Sequence, residues 1–405
     1  AETIHVWTGF PELEPFYKWA GEEFSKTHPG VDFEIISTSL REFEQKLTTA
    51  LPTGTGPEVF DVGPYIAIKL IDAGILPANP ADIDQHLKSG AWSDFSVDYV
   101  TVDGKTYGVP MMNGSRASLF YNKAMFREAG LDPDNPPKTF PEVMEAAKKL
   151  TKYDANGDIV RSGLSLRITG GGSGLTEKFR FVLHNAGGDV IVPVGDGKWR
   201  NDLDNEAGRK ALKYYIDAIY VHKVDSPEVR HDAEAFVTGD TAMFLRESWV
   251  IGEVESKNPD LEYGVAPMPA WDRWATLAQP WSVYMSMDGA ESQNVRDYVK
   301  FLTDEAAAEK LIELSGWMPD RQFDWQALVA KTPQYEVFVN PPSEMGFFAD
   351  PVIPAFDEIQ TKVADKLVEA FLNKDMVNED LLDKTISEIG SLIDSLLKRY
   401  QVYGN

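Results

Sequence analysis

The side chains best suited to chemistry in this 405-residue chain are aromatic. Six of its ten Trp, at positions 249, 271, 274, 281, 317 and 325, lie beyond residue 248. Several sit in segments broken by Pro or Gly: Met268-Pro-Ala-Trp271, Gln279-Pro-Trp281 and Gly316-Trp-Met-Pro319. A Trp inside a periodic element packs into a core. A Trp on a loop between elements is free to present its ring face, and the polar N–H then orients what it holds. Sugar rings carry apolar C–H patches that stack on such faces, while Arg, Asp, Glu and Asn take the hydroxyls. Ordinary packing is the alternative for any one of these Trp; for the group, at least one ligand-stacking ring is expected.

Covalent chemistry finds less support. The chain has no Cys, which removes thiol nucleophiles, disulfides and zinc–thiolate sites. The six His, at 5, 28, 86, 184, 222 and 231, show no ligand spacing, so no metal site is expected. Gly170-Gly-Gly-Ser-Gly174 has the look of a phosphate cradle but lacks the Gly-Lys-Ser/Thr ending, and it fails the Gly-x-Ser-x-Gly spacing of a nucleophile elbow. It reads as a flexible turn before a helix starting near Thr176, with close approach of bare backbone to a ligand as the other reading. Asp154-Ala-Asn-Gly-Asp158 imitates half a calcium loop, but Ile159 stands where Gly is required and Ser165 where Glu is required, so it reads as a tight turn. A pair of carboxylates for glycoside hydrolysis needs only the right separation in space, and no local motif marks one. No cofactor is expected.

The elements that must position these residues alternate. Residues 3–8, 31–37 and 59–62 read as strands, with helical spacing over Leu13, Phe16, Tyr17, Ala20 and Phe24 and again over 43–51. Strand, helix, strand, helix, strand implies right-handed crossovers and a parallel sheet, with ligands outside the carboxyl ends of the strands. That rim holds Gly9, Phe10, Glu12, residues 37–39 and residues 63–65. Asp103-Gly104 and Asp196-Gly197 mark hairpin turns, and Thr139-Phe-Pro-Glu142 opens a helix with a capping box. Residues 207–220 read as a helix, as does the long apolar stripe from Leu381 to Leu397, and the Pro-rich stretch 339–354 as an ordered surface loop.

Composition bounds the class. A hydrophobic share of 43% and a charged share of 25% are globular, and the length favours two lobes. A formal charge of −25 repels nucleic-acid phosphates and anionic membranes, which makes either partner unexpected. No apolar run approaches the roughly 20 residues of a membrane helix. The opening Ala-Glu-Thr leads at once into an apolar alternation, as in an exported protein whose targeting segment has been removed.

Several motifs, in order, resemble the extracellular solute-binding proteins of the maltose/multiple-sugar ABC importer family. They are Gly54-Thr-Gly-Pro-Glu-Val59, Gly104-Lys-Thr-Tyr-Gly-Val-Pro110, Leu119-Phe-Tyr-Asn-Lys123, Phe126-Arg-Glu-Ala-Gly-Leu131 and Pro136-Pro-Lys-Thr139. Ala235-Phe-Val-Thr-Gly-Asp-Thr-Ala-Met243, the pair Ser248-Trp249, Tyr263-Gly-Val-Ala-Pro-Met-Pro269 and Gly316-Trp-Met-Pro-Asp-Arg321 follow. The resemblance implies a two-lobed periplasmic-binding-protein-like α/β fold, each lobe a mostly parallel sheet flanked by helices. It implies a first lobe of residues 1–109 and 267–310, a second of 113–262 and 311–405, and hinge strands near 109–113, 263–267 and 310. Binding by hinge closure follows, with delivery to the membrane permease of an ABC importer. The implied setting is periplasmic and the implied state monomeric.

Carried over position by position, the ligand-binding residues are Phe10, Glu12, Arg41, Tyr65, Asn113, Arg116, Arg167, Trp249, Trp281 and Trp317, with Trp249 matching the family's ligand-stacking Trp. The chain departs from the family in Gln279-Pro280 before Trp281 and in Arg246-Glu247 before Ser248-Trp249. Arg116, Arg167 and Arg246 have the forked donors that suit a carboxylate or phosphate, and serve equally for neutral hydroxyls or for pairing with acids. The expected ligand is a sugar or oligosaccharide. An anionic solute, such as a uronate or sugar phosphate, and a carbohydrate-active enzyme are the alternatives.

Overall fold

The computed structural model describes residues 1–113 and 116–405 and divides into two compact units. The first comprises residues 1–115, 278–327 and 352–354, and the second 116–277, 328–351 and 355–405.

The first unit is built on a six-stranded sheet. In spatial order its strands are Met318–Pro319, Val109–Asn113, Pro280–Met285, Val59–Val62, Glu2–Thr8 and Val31–Ser37. Glu2–Thr8 pairs in parallel with Val31–Ser37 and Val59–Val62, as the strand–helix–strand rhythm predicts. The remaining three ladders are antiparallel. The mostly parallel sheet expected from sequence is therefore confined to the opening crossovers. Later segments enter the sheet from other parts of the chain, free of the crossover that forces parallel pairing.

Alternation assigns the two faces. Ile4 and Val6 pack against Phe16, Tyr17, Ala20 and Phe24 of helix Glu14–Thr27. Phe60 and Val62 pack with Phe43 and Leu47 of helix Leu40–Ala50 on the other. Phe16 and Phe60 are fully buried, and truncating either to Ala is expected to cost about 3–5 kcal/mol. Helix Glu14–Thr27 stops at the non-helical His28, after which the chain turns through Gly30 at φ +88°.

The second unit has a three-stranded antiparallel sheet, Met243–Arg246, Ser118–Asn122 and Tyr263–Ala266 in spatial order. Here too the expected parallel sheet is corrected. Helices Ser173–Asn185, Glu206–Ile216, Phe356–Phe371 and Glu379–Arg399 provide the bulk of the unit. The last matches the apolar stripe read from sequence and buries Leu382, Ile386, Ile389, Ile393, Leu396 and Leu397. The helix expected over 207–220 ends at Ile216 and continues as a π-helical turn, Asp217–Val221. At the capping box, Thr139 Oγ1 accepts from Glu142 N at 3.2 Å; the Glu142 carboxylate accepts from Lys138 N at 2.8 Å rather than from Thr139.

The stretch 339–354 is more than a surface loop. Gly346–Phe348 forms a parallel ladder with Ala275–Leu277, and Asp350 pairs with the fully buried Arg180. These contacts keep residues 267–277 in the second unit, whereas the sequence reading put them in the first. Conversely, residues 311–327 fold with the first unit, because Met318–Pro319 pairs with Val109–Asn113. Position 310 lies inside helix Glu305–Ser315, whose Leu311 belongs to the first unit's core.

Candidate functional site

The first unit gathers five of the sequence-predicted residues at the rim after its strands. Phe10 caps a short 3-10 turn, Pro11–Leu13, in extended backbone. Its ring meets Trp281 at 5.2 Å in a T-shaped arrangement and Trp317 at 5.1 Å. Tyr65 stands edge-on to Trp281 at 6.3 Å. Gly63 is required for that approach, since a Cβ there would lie 2.4 Å from the Tyr65 ring and 2.9 Å from Trp281. The polar tips are also tied down: Trp317 Nε1 donates to Glu12 Oε1 at 3.1 Å, and the Tyr65 hydroxyl donates to Glu44 at 2.5 Å. The result is a partly exposed aromatic surface with a carboxylate at its edge.

A β-bulge lies opposite Trp281, in strand Val109–Asn113. It falls where Trp281 pairs with Met112 and Ser282 with Pro110, skipping Met111. Pro110 has no N–H for a regular ladder. Asn113, expected as a ligand contact, is 2% exposed: Nδ2 donates to Asp320 at 3.0 Å and Oδ1 accepts from Gln279 N at 3.2 Å. Its amide joins the segments of the first unit's sheet. Arg41 is exposed on the first turn of Leu40–Ala50 and makes no ion pair among the described residues.

The second unit holds the other three. Strand Met243–Arg246 leads through two residues into helix Trp249–Lys257, so Arg246 and Trp249 fall on either side of a sharp strand-to-helix junction. Trp249 is 40% exposed, and the Arg246 guanidinium lies 5.1 Å from its ring centre. Arg246 is held by Asp232 at 2.7 Å and Glu247 at 2.9 Å, and Glu247 in turn accepts from the buried Lys178 at 2.6 Å. Burial opposes the charges of Lys178, Arg246 and Glu247, but the facing charges outweigh it: the Lys178 and Arg246 pKa values rise and that of Glu247 falls, so these three are ionised at neutral pH.

Arg167 lines a small cavity with Lys178, Phe181, Tyr215, Asp232 and Arg246. Its Nη2 donates to Gly171 O at 3.4 Å, and it forms no ion pair among the described residues. Gly174 lets it lie over the first turn of Ser173–Asn185, where a Cβ would come within 2.7 Å of Nη1. Gly170, Gly171 and Gly172 all have positive φ, so the glycine run is a turn before the helix, which begins at Ser173. Arg116 Nη1 donates to Phe338 O at 2.9 Å, and its guanidinium lies 5.4 Å from the Phe347 ring centre.

Sequence reasoning missed the buried polar residues beneath these surfaces: Asp61 and Tyr17 in the first unit, Lys178 and Glu247 in the second. A signal was present for Asp61, a charge inside the otherwise apolar Val59-Phe-Asp-Val62. The loop position of a Trp did not separate binding from packing. Trp271 packs against Tyr214 and under Lys210, and Trp274 Nε1 donates to Met268 O at 2.6 Å. Among the described residues no group of three or more His, Asp or Glu side chains is arranged to hold a metal ion.

Residues 8–309 match the family described as bacterial extracellular solute-binding protein. The lactose-binding protein of Rhizobium radiobacter is 25% identical over 323 residues, covering 76% of this chain and 68% of its own. The sn-glycerol-3-phosphate-binding periplasmic protein of Rhizobium meliloti is 28% identical over 339 residues, covering 72% and 73%. The fold is shared with the cyclic α-maltosyl-1,6-maltose binding protein of Arthrobacter globiformis, at a TM-score of 0.79 and 20% identity over 98% of this chain and 99% of that one.

Proposed function

The chain belongs to the bacterial extracellular solute-binding proteins, and from that premise we propose that it captures a sugar or oligosaccharide reversibly, without covalent chemistry, and delivers it to the permease of an ABC importer. The observation that carries this reading is the set of rings at the first unit's rim. The Phe10 ring centre lies 5.2 Å from that of Trp281 and 5.1 Å from that of Trp317, all three partly exposed, with Glu12 as a hydroxyl acceptor beside Trp317. Trp249 adds an exposed ring on the second unit. Apolar ring faces beside fixed acceptors suit the C–H patches and hydroxyls of a carbohydrate.

Charge favours a neutral solute. Arg246 is neutralised by Asp232 and Glu247, and Arg116 donates to a backbone carbonyl. One observation favours the anionic alternative: Arg167 forms no ion pair among the described residues, and a relative binds sn-glycerol-3-phosphate. Calorimetric titration with lactose, maltotriose and sn-glycerol-3-phosphate separates the two. Under the main reading a neutral sugar binds one to one at about micromolar Kd, near −8 kcal/mol. Preference for the phosphate, lost in Arg167→Ala, would select the second reading. Chromatography after incubation with oligosaccharides should show no products. The protein acts outside the cytoplasm, as a monomer, with permease subunits as its partners.

A further inference from the structure

Asp61 is fully buried in Val59–Val62, a strand with all four residues buried. Across the antiparallel ladder it faces Val283. Directly opposed residues share a sheet face and side chains alternate along a strand, so Trp281, two residues before Val283, emerges on the face of Asp61. Helix Glu14–Thr27 covers that face and supplies Tyr17, whose hydroxyl donates to Asp61 Oδ2 at 2.6 Å. Two buried polar atoms nearby have no closed hydrogen bond: Asp61 Oδ1, an acceptor, and Trp281 Nε1, a donor. The Trp281 N–H is, with Tyr17, Thr8 and the Gly9 amide, among the groups that favour the Asp61 carboxylate.

We infer that Asp61 is the positioning residue of the first unit's aromatic surface: its carboxylate holds the indole N–H of Trp281 from beneath and thereby fixes the direction in which the ring face is presented to a solute. This inference rests on the proposed sugar-binding role of that surface. A ring tethered only by packing against Phe10 and Tyr65 is free to turn about its side-chain torsions. A tether at the N–H leaves one orientation, and the solute then finds the platform already formed. The tether is also sensitive to charge. Burial pushes the Asp61 carboxyl up to about 6, against the pull of Tyr17, Thr8, Trp281 and Gly9. Of these facing groups only Tyr17 titrates, and burial raises its own pKa far above that range. A carboxylate is the stronger acceptor, so the N–H tether weakens when Asp61 takes up a proton.

The test uses the full chain with 15N-labelled Trp, in the absence of solute. The indole N–H resonance of Trp281, assigned through Trp281→Phe, is followed from acid to neutral pH. It should move in a single transition near pH 6. The transition should vanish in Asp61→Asn, and shift to higher pH in Tyr17→Phe, which removes a donor that favours the carboxylate. In parallel, maltotriose binding at neutral pH should weaken about tenfold in Asp61→Asn, as expected for loss of an anchor. A Trp281 resonance that ignores pH, or a transition that survives in Asp61→Asn, overturns the inference, and so does unchanged maltotriose affinity in that variant. Failure of the wild type to bind maltotriose counts against the sugar reading instead, and the solute-free transition still decides the role of Asp61.

Discussion

Arg246 lies 5.1 Å from the Trp249 ring centre and is held there by Asp232 and Glu247. One side of an exposed indole is thus backed by a fixed cation, and under the proposed sugar-binding role the rest of the ring receives the solute. Trp249→Ala is expected to weaken solute binding by about 10- to 100-fold, or about 1.4–2.7 kcal/mol, as for an aromatic anchor. Arg246→Met keeps the bulk and removes the charge. It should weaken binding several-fold and alter the Trp249 fluorescence, both read in one fluorescence titration.

Glu247 is the hub of the same network, 5% exposed and bonded to Lys178 and Arg246. Removing one partner of a buried pair leaves an uncompensated charge. Glu247→Gln is therefore expected to destabilise the chain by about 3 kcal/mol. Urea unfolding should show a lower midpoint with little change in slope.

Asp61 sets a pH dependence of stability. Its folded value near 6 stands above its ordinary 3.8 because burial disfavours the charge. Between these values the folded chain keeps a proton that the unfolded chain releases. Stability from this group is present in full below the unfolded value and falls as pH rises through the window, by about 3 kcal/mol in all. The difference in unfolding free energy between wild type and Asp61→Asn, measured across pH 4 to 7, should carry that slope.

Arg180, fully buried in helix Ser173–Asn185, donates to Asp189 at 2.8 Å and also to Asp350. The pair holds the returning segment 328–351 to the second unit. Arg180→Met leaves the partly buried carboxylates of Asp189 and Asp350 without their cation and is expected to cost about 3 kcal/mol at neutral pH. Burial raises Asp350 to about 6 even with Arg180 present, so the loss should shrink on acidification as Asp350 is protonated. Thermal unfolding of both proteins at pH 5 and pH 8 checks this.

The parts of the fold set by short-range rules were legible from sequence. The strand at Val59–Val62, the Asp103-Gly104 and Asp196-Gly197 hairpin turns and the final helix follow from period and turn chemistry, and all four stand in the structure. Strand direction was not legible for Val109–Asn113 and Pro280–Met285, because pairing between distant segments leaves no local period. The rim was readable as far as Phe10 and Tyr65, which follow strands directly. Trp281 and Trp317 reach Phe10 from segments more than 250 residues away in sequence, and only the family resemblance placed them there. Asn113 was carried over in the same way, and its amide is engaged within its own unit.

The most direct test of the central claim is isothermal titration calorimetry of the purified chain, and of Trp249→Ala and Trp281→Ala, against a panel of neutral oligosaccharides and anionic sugar phosphates. The account predicts saturable one-to-one binding of at least one carbohydrate at about micromolar Kd, with the sugar recovered intact and the affinity lost in both variants. Binding that ignores both Trp residues, or no carbohydrate binding across the panel, would contradict it.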